Sequence, residues 1–322
     1  MSKESLVIAL DLGGTNVRWA LVNREGSILE RWERPTASMP EQDVLISTLA
    51  QDLLAAEAQA RSRHGEVKGV GLGVPGRILP QEGVVVFSPN VSALNACPLV
   101  PNLKALVPWP VVLENDANLF AVGEHWLGAG VGFDEMLGMT LGTGVGGGLI
   151  LKGLLWQGTA GTAGEIGHMT IDPEGKRCHC GNRGCLETLA SGAWAAVWVK
   201  EQLAQGAASW LRELWEADPE ALVGETLVAA ARQNDPLALK AFERVGGALG
   251  IAIANAVHLL GLSRIVIGGR FTRAWDLFHL FLEEEIFRRL TLFPPEAVSV
   301  VPAQLGDDAG LLGAARLVWN AL

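Results

Sequence analysis

Three cysteines, Cys178, Cys180 and Cys185, fall within eight residues, and His168 lies ten residues upstream of the first. Thiolate sulfur and imidazole nitrogen are the donors a tetrahedral zinc ion prefers. The glycines between the cysteines let a short loop turn its sulfurs inward. A disulfide fits poorly, because one intervening residue between Cys178 and Cys180 does not give the Cα separation the bond needs. Three clustered cysteines also leave an odd thiol after any pairing. The plainer reading is a flexible loop of free cysteines. The fourth ligand is His168 or His179, and His168 is favoured because it follows Glu165-Ile166-Gly167, a stretch built like part of a site. Two carboxylates, Glu165 and Glu187, flank the set.

Two glycine-rich turns offer a different chemistry. Leu6–Asn23 reads LVIALDLGGTNVRWALVN, with Asp11 at a strand end and Gly13-Gly14-Thr15-Asn16 in the turn. Glycines let backbone N–H groups approach a phosphate closely, and a carboxylate beside such a turn suits Mg²⁺. A plain β-hairpin explains this first turn equally well. Met136–Leu151, MLGMTLGTGVGGGLIL, repeats the plan, with Gly142, Thr143, Gly144 and Gly146 in and after its turn. Neither is a P-loop or a dinucleotide fingerprint, because a strand rather than a helix follows. Asp116 lies in Glu114-Asn115-Asp116-Ala117-Asn118, between an apolar strand and a helix. Taken alone, Asn115 or Asp116 is most simply the cap of that helix.

The elements that must carry these residues alternate between strand and helix. Strands are expected at 67–74, 83–87, 111–113, 264–267 and 298–303. Helices are expected at Gln42–Arg63, from Asn115 or Asp116 to Trp126, across Ser191–Leu214, from Asp235-Pro236 to Leu260, over Ala274–Leu290, and after Gly306-Asp307-Asp308. The two similar hairpins suggest two similar domains, and the chain of 322 residues is long enough for both. The expected division falls near Asn115, giving a small domain over 1–115, completed by the C-terminal helix at about 306–322. A larger domain covers 116–305 and carries the zinc loop. The formal charge of −10 argues against a nucleic-acid surface. No apolar run spans a bilayer and no signal segment opens the sequence, so the expectation is a cytoplasmic protein without a membrane partner. Clustered cysteines fit a reducing compartment and a metal.

In order and spacing these motifs resemble the ROK family, which groups sugar kinases with sugar-responsive repressors. The resemblance is carried by DLGGTN at Asp11–Asn16, VPG at Val74–Gly76, ENDAN at Glu114–Asn118, LGTGVGGG at Leu141–Gly148, GEIGH ending at His168, and CHCGNRGCLE at Cys178–Glu187. Within the family the chain is most similar to bacterial glucokinases. The resemblance implies an actin-like (ribonuclease H-like) α/β ATPase fold, with two domains and a central cleft. It implies ATP-dependent phosphorylation of the 6-hydroxyl of glucose, with Asp116 as general base. Gly76, Asn90, Asn115, Asp116, Glu165, His168 and Glu187 would bind the sugar. Asp11, Gly13, Gly14, Thr15, Asn16, Gly142, Thr143, Gly144, Gly146, Gly268 and Gly269 would hold ATP with Mg²⁺. His168, Cys178, Cys180 and Cys185 would hold a structural Zn²⁺. A homodimer or homotetramer through the second domain is implied by family habit and by apolar, Trp-rich helix between Ser191 and Leu260.

The chain departs from the family pattern at Arg77, at Arg270 and in the loop Asn90–Cys97. Carboxylates at Glu165 and Glu187 do not by themselves separate glucose from fructose, mannose or N-acetylmannosamine. A repressor would need a DNA-binding domain ahead of Asp11, and only ten residues precede it. The glycine turns are expected to be independent of the metal loop.

Overall fold

The first strand is apolar without alternation because both of its faces are covered. The computed structural model describes residues 4–63 and 65–322. It opens with β1 (Glu4–Leu12), β2 (Asn16–Asn23), β3 (Ile28–Pro35), α1 (Gln42–Arg63), β4 (Gly65–Val74), β5 (Arg77–Leu79), β6 (Val84–Phe87), α2 (Leu99–Lys104), β7 (Val111–Asn115) and α3 (Asp116–Leu127). There follow β8 (Met136–Leu141), β9 (Val145–Leu151), β10 (Leu154–Leu155), α4 (Glu187–Ala190), α5 (Gly192–Ala204), α6 (Leu211–Ala217), α7 (Gly224–Arg232) and α8 (Pro236–Leu260). The chain closes with β11 (Arg264–Gly268), α9 (Trp275–Arg289), β12 (Ser299–Pro302) and α10 (Ala309–Ala321).

The chain forms two compact units, one of Met1–Gly132, Gly148–Ala163 and Gln304–Leu322, the other of Phe133–Gly147 and Gly164–Ala303. In the first, five strands run in the order β3-β2-β1-β4-β7. β1 is antiparallel to β2 and parallel to β4, and β4 is parallel to β7. Leu6, Ile8 and Leu10 pack with Leu45, Leu49 and Leu53 of α1. Val7 and Ala9 pack on the other face with Leu119 of α3 and Leu311, Ala315 and Val318 of α10. Two-sided burial of this kind reads in sequence as a continuous apolar run.

The division differs from the one expected near Asn115, and helix packing supplies the reason. A Cβ on Gly313 would stand 1.9 Å from the Leu119 carbonyl oxygen, and one on Gly123 would stand 2.1 Å from that of Ala309. The two glycines let α3 and α10 approach to backbone contact, so α3 belongs with the first unit. Gly148 is pressed on Ala117 and Ala121 in the same way, which brings 148–163 into that unit.

A second five-stranded sheet has the order β10-β9-β8-β11-β12, with β8, β11 and β12 parallel. In the second unit the long helix α8 packs on α9. Its Gly246 is close enough that a Cβ would meet the Phe278 carbonyl oxygen at 2.4 Å. Asp235 caps α8 through the amides of Leu237 and Ala238. The helix expected over Ser191–Leu214 is two helices, because Gly206 has φ +94° and breaks the run between α5 and α6.

Candidate functional site

The candidate residues of the first unit converge around two turns. Asp11 lies at the end of β1, and Gly13 N–H donates to the Asn16 carbonyl at 2.9 Å to close the first glycine turn. Arg18 donates to the Asp11 carboxylate at 2.6 Å. The first turn of α10 arrives at the same place, since a Cβ on Gly310 would lie 3.7 Å from the Asp11 carboxylate carbon. Asn90 stands against this turn as well, 3.0 Å from where a Gly14 Cβ would be. Gly76 has φ +103°, and a Cβ there would be 2.2 Å from the Phe87 carbonyl oxygen, so only glycine fits. Asn115 Nδ2 donates to the Gly76 carbonyl at 3.1 Å.

The ENDAN segment assigns its tasks clearly. Asn115 is the N-cap of α3, and its Oδ1 accepts from the amides of Ala117 and Asn118 at 2.9 and 3.3 Å. Asp116 therefore is not the cap. It is the first helical residue, exposed, at the positive end of the helix, and accepts locally from the Ala117 amide at 2.9 Å.

The candidates of the second unit form another assembly. Gly142 N–H donates to the Gly144 carbonyl at 3.0 Å, closing the second glycine turn. Glu187 Oε2 accepts from the Val145 amide at 3.1 Å and lies 2.4 Å from the position of a Gly144 Cβ. The GEIGH segment packs on the same strand end, where a Gly167 Cβ would meet the Val145 carbonyl oxygen at 2.0 Å. Gly269, with φ +91°, is pressed on the Leu141 carbonyl just ahead of the turn. Contrary to the independence expected from the sequence, the turn is tied to the cysteine loop: Glu187 joins them, its Oε1 lying 3.8 Å from Cys178 Sγ. The Glu165 side chain is exposed, and its backbone carbonyl accepts from the His168 amide.

His168, Cys178, Cys180 and Cys185 bring their four ligand atoms within 4.8 Å of one another. Cys178 Sγ is 3.7 Å from His168 Nδ1, and Cys180 Sγ is 3.7 Å from Cys185 Sγ. Ligands about 2.3 Å from a tetrahedral centre stand about 3.8 Å apart, so the set fits a zinc ion. His179 is elsewhere, its ring 5.6 Å from that of Trp194. Burial pushes the Cys178 thiol up to about 12 and raises that of Cys185 as well. A divalent cation at the centre would oppose this by favouring the thiolates.

Two side chains of this region escaped sequence reasoning. Glu114 is 1% exposed, and its carboxylate accepts from the Asn115 amide, from Asn118 Nδ2 and from Gln157 Nε2. Glu124 is wholly buried and accepts from the amides of Ala129, Gln304 and Leu305. Glu114 could have been suspected as a carboxylate ending an apolar strand, but nothing in the sequence pairs it with Gln157.

The chain is 36% identical to a glucokinase of Thermotoga maritima, over 97% of its own length and 96% of that protein. It is 29% identical to a xylose repressor of Caldicellulosiruptor bescii, over 97% of this chain and 77% of the repressor. Among solved structures, a ROK glucokinase from Streptomyces griseus in complex with glucose and AMPPNP superposes with a TM-score of 0.78 at 34% identity, covering 98% and 99% of the two chains. The fold is therefore the actin-like α/β fold of the ROK kinases. The model of the ROK family matches residues 7–321, a span that takes in both glycine turns, the ENDAN segment and the cysteine loop alike, and the chain belongs to that family.

Proposed function

We propose that the chain is an ATP-dependent hexose kinase that phosphorylates the 6-hydroxyl of glucose, with Asp116 as general base. The observation that carries the reading is the division of labour in ENDAN. Asn115 caps α3, and Asp116 stands exposed at the helix start, where solvent reaches its carboxylate. The likeness to glucokinases across nearly the whole chain supports the reaction, and the ROK glucokinase solved with glucose and AMPPNP supports the pair of substrates.

In this reading Asp116 takes the proton of the attacking hydroxyl as its oxygen forms the new bond to the γ-phosphorus and ADP leaves. Asn115, Glu165, His168 and Glu187, with Gly76 and Asn90, orient the sugar, whose hydroxyls each donate and accept. The amides of the glycine turns would serve the phosphates, and Gly268-Gly269 the adenosine. Asp11 would help to hold the Mg²⁺ bound with the nucleotide, which would supply neutralisation of phosphate charge.

The four ligands His168, Cys178, Cys180 and Cys185 would hold a zinc ion whose part is structural, since no position is left open for substrate. His168 turns Nδ1 to Cys178 Sγ, which leaves Nε2 for a sugar hydroxyl. A cytoplasmic location and a homo-oligomer complete the proposal. No helix among the described residues is long and apolar enough to cross a membrane.

The test is a coupled assay of the purified chain with ATP and Mg²⁺ across glucose, fructose, mannose, N-acetylmannosamine and N-acetylgalactosamine. Glucose should give the highest kcat/KM. Turnover on none of them would end the kinase reading, and preference for another hexose would correct the substrate alone.

A further inference from the structure

Glu114 is an expensive residue to bury. A carboxylate taken out of water must have its oxygens satisfied by donors, and three converge on this one. The Asn115 amide and Asn118 Nδ2 reach Oε1 at 2.8 and 3.0 Å, and Gln157 Nε2 reaches Oε2. The first two come from the segment that holds Asp116. The third comes from 43 positions along the chain. Gln157 also closes a loop of its own, because its carbonyl accepts from the Ala163 amide at 3.0 Å. Inside that loop Gly158, Ala160 and Gly161 have φ of +65°, +57° and +70°. A left-handed alanine persists only where its surroundings hold it. Directly beyond the loop the chain continues into Gly164, Glu165 and His168.

We infer that Glu114 and Gln157 are a positioning pair for phosphoryl transfer. Their hydrogen bond fastens the closed loop 157–163 to the catalytic segment 114–118, fixing Asp116 and the point from which the chain sets out toward Glu165. Neither residue touches the reacting atoms. The inference rests on the proposed kinase reading with Asp116 as base.

An exchange of partners tests it. Gln157→Glu sets two carboxylates against each other, and kcat per folded enzyme should fall about 10–100-fold, with KM for ATP within about threefold of wild type. Glu114→Gln alone should be mild, because the Gln157 amide can turn its oxygen to the new donor. Combining Glu114→Gln with Gln157→Glu restores one carboxylate and one amide, and should return kcat to within a few-fold of wild type. Gln157→Ala, which adds no charge, serves if Gln157→Glu does not fold, and should lower kcat about 3–10-fold. A folded Gln157 variant with wild-type kcat, or an exchanged pair no better than Gln157→Glu, overturns the inference. Asp116→Asn in the same assay separates the two layers: wild-type turnover in that variant overturns the role of Asp116 as base, whatever the Gln157 variants do.

Discussion

In the proposed mechanism Asn115 and Asp116 divide two tasks, capping and proton acceptance. Asn115 accepts from the amides of both Ala117 and Asn118, whereas Asp116 accepts from that of Ala117. Because Asn115 does the capping, Asp116→Asn should leave the fold and sugar affinity largely intact while lowering kcat by roughly 10²–10⁴. Steady-state kinetics beside a glucose titration on the same variant checks this, and unchanged turnover would remove Asp116 from the chemistry. At the cysteine loop, Cys178→Ser should lose zinc, because a serine hydroxyl is a poor ligand at neutral pH. Sugar affinity should fall at least 10–100-fold. Glu187 joins the loop to the Val145 amide, so nucleotide affinity should weaken measurably as well. Metal content by mass spectrometry with both titrations decides it. His179→Ala should keep the metal, since its ring lies on Trp194. The gathering of His168 with the three cysteines was legible in the sequence because ligand type and interval are local properties. The choice of cap within ENDAN was not legible, because Asn115 and Asp116 are equally good caps on paper. The partnership of Glu114 with Gln157 depends on a tertiary approach that no local pattern encodes.

Among the elements, α3 begins where β7 ends without an intervening loop residue, so its start is set by the cap alone. Asn115→Ala removes the acceptor for two amides and the tie to Gly76. Loss of a cap costs about 0.5–2 kcal/mol, and thermal unfolding should register a lower Tm. Asn115→Asp keeps the cap and loses only the donor to Gly76, so it should recover most of that Tm and still bind sugar poorly. An Ala variant as stable as wild type would show that the packing of α3 on α10 suffices. The amphipathic and doubly buried elements were readable by period and by length: Gln42–Arg63 is helical over that very span, and the helix from Asp235-Pro236 ends at Leu260. What could not be read are elements with weak patterns. β3 carries Glu30, Arg31, Glu33 and Arg34 on an edge strand, and α2 is six residues with a proline inside. Both are held in place by tertiary packing rather than by their own propensity.

For the molecule as a whole, the acceptance of a partner copy is decided by what the second unit leaves uncovered. The helices between Ser191 and Leu260, expected to supply a subunit surface, bury most of their apolar side chains inside the unit. The large apolar groups left exposed include Leu259, Leu280, Phe287 and Leu292, at 82%, 64%, 71% and 84%. A homodimer that covers these groups should form, with light scattering at micromolar concentration giving twice the chain mass. Phe287→Glu should shift it to monomer, and a wild-type chain already monomeric would count against the assembly.

The units are also unequal in when they can be finished. The first unit holds the first residues of the chain and the last, Gln304–Leu322. One covering layer of its sheet is incomplete until α10 joins α3, since Leu311, Ala315 and Val318 complete the core around Val7 and Ala9. On the ribosome, then, the order of synthesis and the order of completion are reversed. Every residue of the second unit has been polymerised by Ala303, while the strands of the first still wait, one face only partly covered by α3, for α10. Until α10 has been made, the uncovered part of that face is a hydrophobic surface for a chaperone to guard.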